Sequence, residues 1–106
     1  MDKIVINIAV DFSFTPGPRT KAEGKFSAEE FLEKHLYPKF DHAVKENRMI
    51  QVILDGTAGY ATSFLEGAFG ELARKRSKKE VLDHLEFISN DEPYLIDEIK
   101  HYISNA

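Results

Sequence analysis

The chain has 106 residues, 42% of them hydrophobic and 30% charged, with a formal net charge of −4 and no cysteine. That length holds one domain and not two. Disulfides, zinc–thiolate sites and thiol nucleophiles are excluded, and an acidic balance argues against a nucleic-acid binder, whose affinity comes from neutralising phosphates. The start lacks the pattern of a signal peptide, and no apolar run approaches the ~20 residues of a membrane span, so a cytoplasmic globular domain is expected.

The pattern from Lys3 to Phe14 reads as a long strand, with Ile4, Ile6, Ile8, Val10, Phe12 and Phe14 alternating against a second set that turns polar. Thr15-Pro16-Gly17-Pro18 breaks it with a stiff turn, and a short strand from Arg19 to Ala22 would make a hairpin. Ser27 opens the first helix. Ser27-x-x-Glu30 fits a capping box, with Phe26 stapling onto Phe31. The apolar stripe runs through Phe31, Leu32, His35, Leu36, Phe40, Ala43 and Val44, and Pro38 inside it predicts a kink or restart.

Met49 to Leu54 is a near-continuous apolar run, as expected for a strand covered on both faces. Asp55-Gly56 ends it, and a small-residue loop leads to a second helix starting near Thr62 or Ser63. Its stripe is Phe64, Leu65, Ala68, Phe69, Leu72 and Ala73, and Ser63-x-x-Glu66 again fits a capping box. Arg74, Lys75 and Arg76 crowd its C-terminal end, where the helix dipole favours cations. The basic run to Lys79 reads as a solvated helix end. Ser77-x-x-Glu80 predicts one further helical turn through Leu82, and Leu85 to Ser89 a short strand. Asn90 or Asp91 caps a last helix with Pro93 in its first turn, burying Leu95, Ile96, Ile99, Tyr102 and Ile103.

Strands alternating with helices imply an α/β fold with a mainly parallel central sheet and flanking helices. In such sheets ligands are met at the C-terminal ends of the strands. Three loops gather there, and Arg19, Ser27, Asp55, Thr57, Thr62 and Ser63 are expected to share one edge. Arg19, in a rigid Pro-Gly-Pro loop, has the planar fork that binds an anion or a phosphorylated side chain. Asp55, at the strand end, is placed either to order its loop or to coordinate a metal, and one carboxylate without nearby partners argues against the metal. No metal site is expected from the scattered histidines, and His35 is expected to be partly buried. No second buried carboxylate is evident for acid–base chemistry, and Gly56-x-x-Gly59 lacks the lysine of a P-loop, so no cofactor is expected.

Three blocks carry a resemblance over nearly the whole chain: Asp11-Phe12-Ser13 with Pro16-Gly17-Pro18-Arg19, Gly24 to Phe31, and Asp55-Gly56 leading to Thr62-Ser63-Phe64-Leu65-Glu66-Gly67-Ala68-Phe69-Gly70. They resemble the STAS-like domains of unassigned function, bacterial and phage-borne relatives of the anti-sigma-factor-antagonist fold. The resemblance implies a single STAS-like domain over residues 1–106. It also implies a non-enzymatic signalling module that docks a GHKL-type ATPase, kinase or anti-sigma factor through the helix edge from Thr62 to Phe69. In true antagonists a serine opening this helix is phosphorylated, and the resemblance places Ser63 there, with Thr62 where those proteins carry Asp and Phe64 where a second small residue follows. Thr62 and Ser63 are therefore the phosphorylation candidates. Arg19, Ser27, Asp55, Thr57, Phe64 and Glu66 are the partner- or anion-binding candidates. The alternative reading is a small-ligand or nucleotide binder, or a small enzyme, using the strand-end crevice. Oligomeric state is left open.

Overall fold

The computed structural model describes residues 2–106. β1 (Ile4–Asn7), β2 (Ile50–Ile53) and β3 (Leu85–Ile88) form a wholly parallel sheet in the order β1-β2-β3. The helices are α1 (28–46), α2 (62–75), α3 (Lys78–His84) and α4 (Tyr94–Ser104).

Sequential strands that lie side by side and in parallel are joined by right-handed crossovers, which place every helix on the same face of the sheet. Ile6, Ile50, Val52 and Leu85 point into that face and, with Ile8 and Leu54 just beyond the strands, meet the buried stripes of the helices. α4 packs on the middle of α2, burying Leu95, Ile99 and Ile103. Among the described residues no helix covers the opposite face of the sheet. Val5, Gln51 and Glu86 share one row across it, Val5 is 48% exposed, and Lys3 and Gln51 both donate to Glu86. The apolar run in β2 is thus covered on one face only, with Gln51 and Ile53 half-buried.

The strand read over residues 3–14 ends at Asn7. A π-helical turn, Ile8–Phe12, follows it. The Asn7 carboxamide oxygen accepts from the N–H of Val10 at 3.3 Å, and the Asp11 carboxylate accepts from the N–H of Asn7 at 2.8 Å. These two side chains satisfy the backbone locally and turn the chain away from the sheet, leaving Val10 78% exposed. No strand forms over residues 19–22, where the N–H of Glu23 closes a turn on the carbonyl of Thr20.

α1 comprises Ala28–Phe31, a π-turn at Leu32–Leu36 and Tyr37–Glu46. The wide turn is how the helix absorbs Pro38. The bond from Tyr37 N–H reaches back to Leu32, and the helix continues where an ordinary turn would bring the ring against the Lys34 carbonyl. Asn47, at φ 52°, ends α1 in the left-handed conformation. α2 likewise comprises Thr62–Leu65, a π-turn at Glu66–Gly70 and Glu71–Lys75. α3 runs two residues past the single turn expected, with the Ser77 hydroxyl capping it on Glu80 N–H at 3.1 Å.

The basic run is not a uniformly solvated end. The Arg76 side chain is only 17% exposed, pairs with Asp41 of α1 and Glu80 of α3, and lies over the rings of Tyr37 and Phe40. A single guanidinium therefore ties three helices together.

Candidate functional site

Two loops meet at the C-terminal ends of β1 and β2. The N–H of Ala58 donates to the carbonyl of Phe14 at 2.8 Å, which joins the 55–61 loop to the segment before Arg19. Asp55 holds the β2 loop to the β3 loop: its carboxylate accepts from the Asp91 N–H at 2.8 Å and the Asn90 carboxamide at 3.1 Å, while Asp91 accepts from the Gly56 N–H at 3.3 Å. The Asp91 N–H is the main reason the Asp55 carboxyl lies below its usual range. Asp55 and Asp91 are thereby committed to loop order, and α4 begins on Pro93 with no side-chain cap. Tyr60 closes the same loop by donating its hydroxyl to the Leu54 carbonyl at 2.7 Å, and burial pushes that phenol up to about 12. Gly56 and Gly59 take φ values of 92° and 134°, open only to glycine at low cost, and the Thr57 hydroxyl accepts from Gly59 N–H at 3.2 Å.

α2 starts directly after this loop. Its N-cap is Ala61, which has no side-chain acceptor. The capping box read at Ser63-x-x-Glu66 does not form. Ser63 lies two residues too deep, in the second helical position, and Glu66 is taken by two arginines instead. Arg19 donates to its Oε1 at 2.5 Å, and Arg74 donates to both oxygens at 2.7 and 3.1 Å. These guanidinium groups, Arg74 first, hold the Glu66 carboxyl below its ordinary range. Among the described residues no partner meets the N–H groups of Thr62 and Ser63. Thr62 is exposed and Ser63 half-buried.

The expected gathering of side chains is partly met. Arg19, Thr62, Ser63 and Glu66 line one open hollow of about 360 Å³, together with Tyr102 of α4. Ser27 is elsewhere: wholly buried, it caps α1 by accepting from Glu30 N–H at 3.1 Å. Thr57 and Asp55 serve their loop. Phe64 is wholly buried against Phe12, Phe31 and Tyr60, so it anchors the helix and offers no surface. Phe26 stacks edge-on against Phe12 at 5.9 Å, so its staple reaches Phe31 only through that ring. His35 is partly buried, parallel to the Phe31 ring, and desolvation lowers its pKa. Phe14, read as an inward strand position, is 61% exposed at the edge of the Ala58 loop. Only the Asn7–Asp11 turn that ends β1 would have signalled this.

A second concavity, a groove of about 720 Å³, lies between α1 and α2 and not over the strand ends. Leu32, Tyr37 and Gly67 line its apolar part, with Glu29, Glu71 and Lys75 among its charges. Arg19 belongs to both concavities and is the wall between them. Among the described residues no group of three or more His, Asp or Glu is placed to hold a metal ion, and no helix is long and apolar enough to cross a membrane.

A family model described as a STAS-like domain of unknown function (DUF4325) matches residues 27–95, well over half of the chain. The matched span runs from the Ser27 cap into the first turn of α4 and leaves β1 and the Arg19 loop outside it. No curated protein and no solved structure matches the chain. With its parallel sheet covered by helices on one face and its helix opening from a tied loop after the central strand, the chain belongs to the family of STAS-like domains of unknown function.

Proposed function

We propose that this domain is a cytoplasmic, non-enzymatic signalling module that docks a protein partner through the exposed start of α2. The observation that carries this reading is the open N-terminus of α2. It holds unpartnered N–H groups, an uncapped dipole, an exposed Thr62 and a half-buried Ser63 on a loop fixed by Asp55 and Tyr60. The exposed Phe14 ring stands beside that loop and supplies apolar contact area. By its resemblance to anti-sigma-factor antagonists, the partner is an ATPase or kinase of the GHKL type, or an anti-sigma factor. Phosphorylation would switch the contact. The Ser63 oxygen attacks the γ-phosphorus of a nucleoside triphosphate, the bond to the bridging oxygen breaks, the diphosphate leaves and the hydroxyl proton passes to solvent. The helix N-terminus tolerates the added anion, so the switch acts on the docking edge and leaves the fold intact.

The test compares wild type and Ser63→Glu as immobilised baits, each also carrying a photocrosslinker in place of Thr62 or, as control, of Val5 on the open sheet face. The expected result is an ATPase-fold or anti-sigma partner crosslinked from position 62, absent from position 5 and lost with Ser63→Glu. A captured set that is the same for all baits would overturn the proposal.

A second reading is favoured by the α1–α2 groove, whose volume and mixture of apolar floor and charged rim suit a small ligand. A thermal-shift screen separates the two. A ligand that raises the melting temperature of the wild type, and not of Gly67→Leu, would favour the groove.

A further inference from the structure

We propose that Arg19 reads the state of Ser63. With the hydroxyl free, its guanidinium is held by Glu66; a phosphoryl group on Ser63 draws it off Glu66 into the hollow, and the wall between the hollow and the α1–α2 groove moves with it. This rests on the proposed modification of Ser63 and adds the residue that responds to it, one that lies outside the span matched by the family.

Among the described residues, Arg19 is the one cation that lines the hollow with Ser63. Its present partner is replaceable. Glu66 keeps two bonds from Arg74 when Arg19 leaves, so no carboxylate is stranded. The Arg19–Glu66 pair is also partly solvated, with side chains 42% and 25% exposed, and exposed pairs hold weakly. A phosphoserine offers close to twice the charge of a carboxylate and three acceptor oxygens to the same planar fork. The exchange is confined to the side chain. The Arg19 carbonyl accepts from the Glu29 N–H at 3.0 Å and the Pro18 carbonyl from the Ala28 N–H at 2.8 Å, so the backbone is fixed to the start of α1.

The same swing reaches the groove. α1 and α2 cross closely at Gly67, where a Cβ would stand 3.0 Å from Arg19 Cγ and 3.1 Å from Ala28 Cβ. The Arg19 stem therefore covers Gly67. Its departure uncovers the glycine and lengthens the groove toward Ser63, coupling a charge at the α2 edge to a surface between the helices.

The test uses the full chain with phosphoserine placed at position 63 during translation. The ionisable groups around that phosphate are Arg19 from the loop, Glu66 from α2 with Arg74 behind it, and Tyr102 from α4, whose phenol burial and nearby Glu98 keep neutral. A ³¹P titration is expected to show the phosphate holding its second proton about tenfold more weakly in wild type than in Arg19→Gln. Glu66→Gln, which removes the competitor, is expected to weaken it further. The Arg19 Nε–H signal should move on phosphorylation of the otherwise unaltered chain, a readout that needs no variant to fold. Equal titrations in wild type and Arg19→Gln, or an unmoved Arg19 signal, would overturn the proposal. No partner is present in these measurements, so the Arg19 exchange can fail with docking intact, and docking can fail with the exchange intact.

Discussion

The two long helices begin in opposite ways. α1 starts inside the protein's own loop: Ala28 and Glu29 donate to the carbonyls of Pro18 and Arg19, and Glu30 to the buried Ser27 hydroxyl. α2 starts on an alanine, and the N–H groups of Thr62 and Ser63 have no such partners among the described residues. Anchorage does not explain the difference. The first turns of both helices insert a phenylalanine into one cluster, with Phe31 and Phe64 centroids 5.8 Å apart and Phe12 touching both. What differs is who satisfies the first turn. A helix start closed by its own chain contributes to stability; an open one leaves donors and dipole to an outside group.

The comparison breaks most sharply at its shared anchor. Phe64→Ala should cost about 3–5 kcal/mol, close to the cost of Phe31→Ala, in urea unfolding. A Phe64 cost several-fold smaller would mean that α2 is not held at its first turn. Gly17→Ala comes next. Its Cβ would fall against the backbone carbonyl of Lys25, so the loop must move, at about 1–3 kcal/mol. Amide exchange should quicken at Ala28 and Glu29 and not at Leu65. The caps sharpen the contrast: Ser27→Ala should destabilise by about 1–2 kcal/mol, whereas Ala61→Asp, which gives α2 the acceptor it lacks, should stabilise by ~1 kcal/mol. Equal effects of one sign would erase the distinction.

The smallest effect is electrostatic. Because Arg74 and Arg19 hold the Glu66 carboxyl below its ordinary range, its contribution is present at and above that range and is lost as pH falls through the depressed folded value. Glu66→Gln should therefore be less stable than wild type at pH 7, by under about 1 kcal/mol at this exposure, with the gap closing on acidification. A gap that widens in acid would reverse the assignment.

The helices, their stripes and the parallel run of the strands were legible from local periods and their alternation, whereas the order of the strands in the sheet was not. Also legible were the caps at Ser27 and Ser77, where each hydroxyl accepts from the N–H three residues on. The pattern at Ser63 is indistinguishable from theirs in one dimension. It fails because α2 opens on Ala61, two residues before Ser63, and Glu66 is turned to Arg19, 47 residues away, and to Arg74. The strand that ends at Asn7 shows the same limit: alternation from Ile4 to Phe14 continues unbroken, but Asn7 and Asp11 bond the backbone that the sheet would have used. The hollow at Ser63 was foreseeable in its members from α2 and the Arg19 loop. Tyr102 enters it only because α4 packs across α2.

That early turn has a consequence for the protein in a crowded solution. β1 is an edge strand, and the residues from Ile4 to Phe14, paired at full length, would present a long flat ribbon rich in isoleucine, valine and phenylalanine, the kind of edge that templates further strands. Asn7 and Asp11 cut the ribbon to four residues and curl the remainder out of plane, so this apolar stretch is kept from offering a growing end.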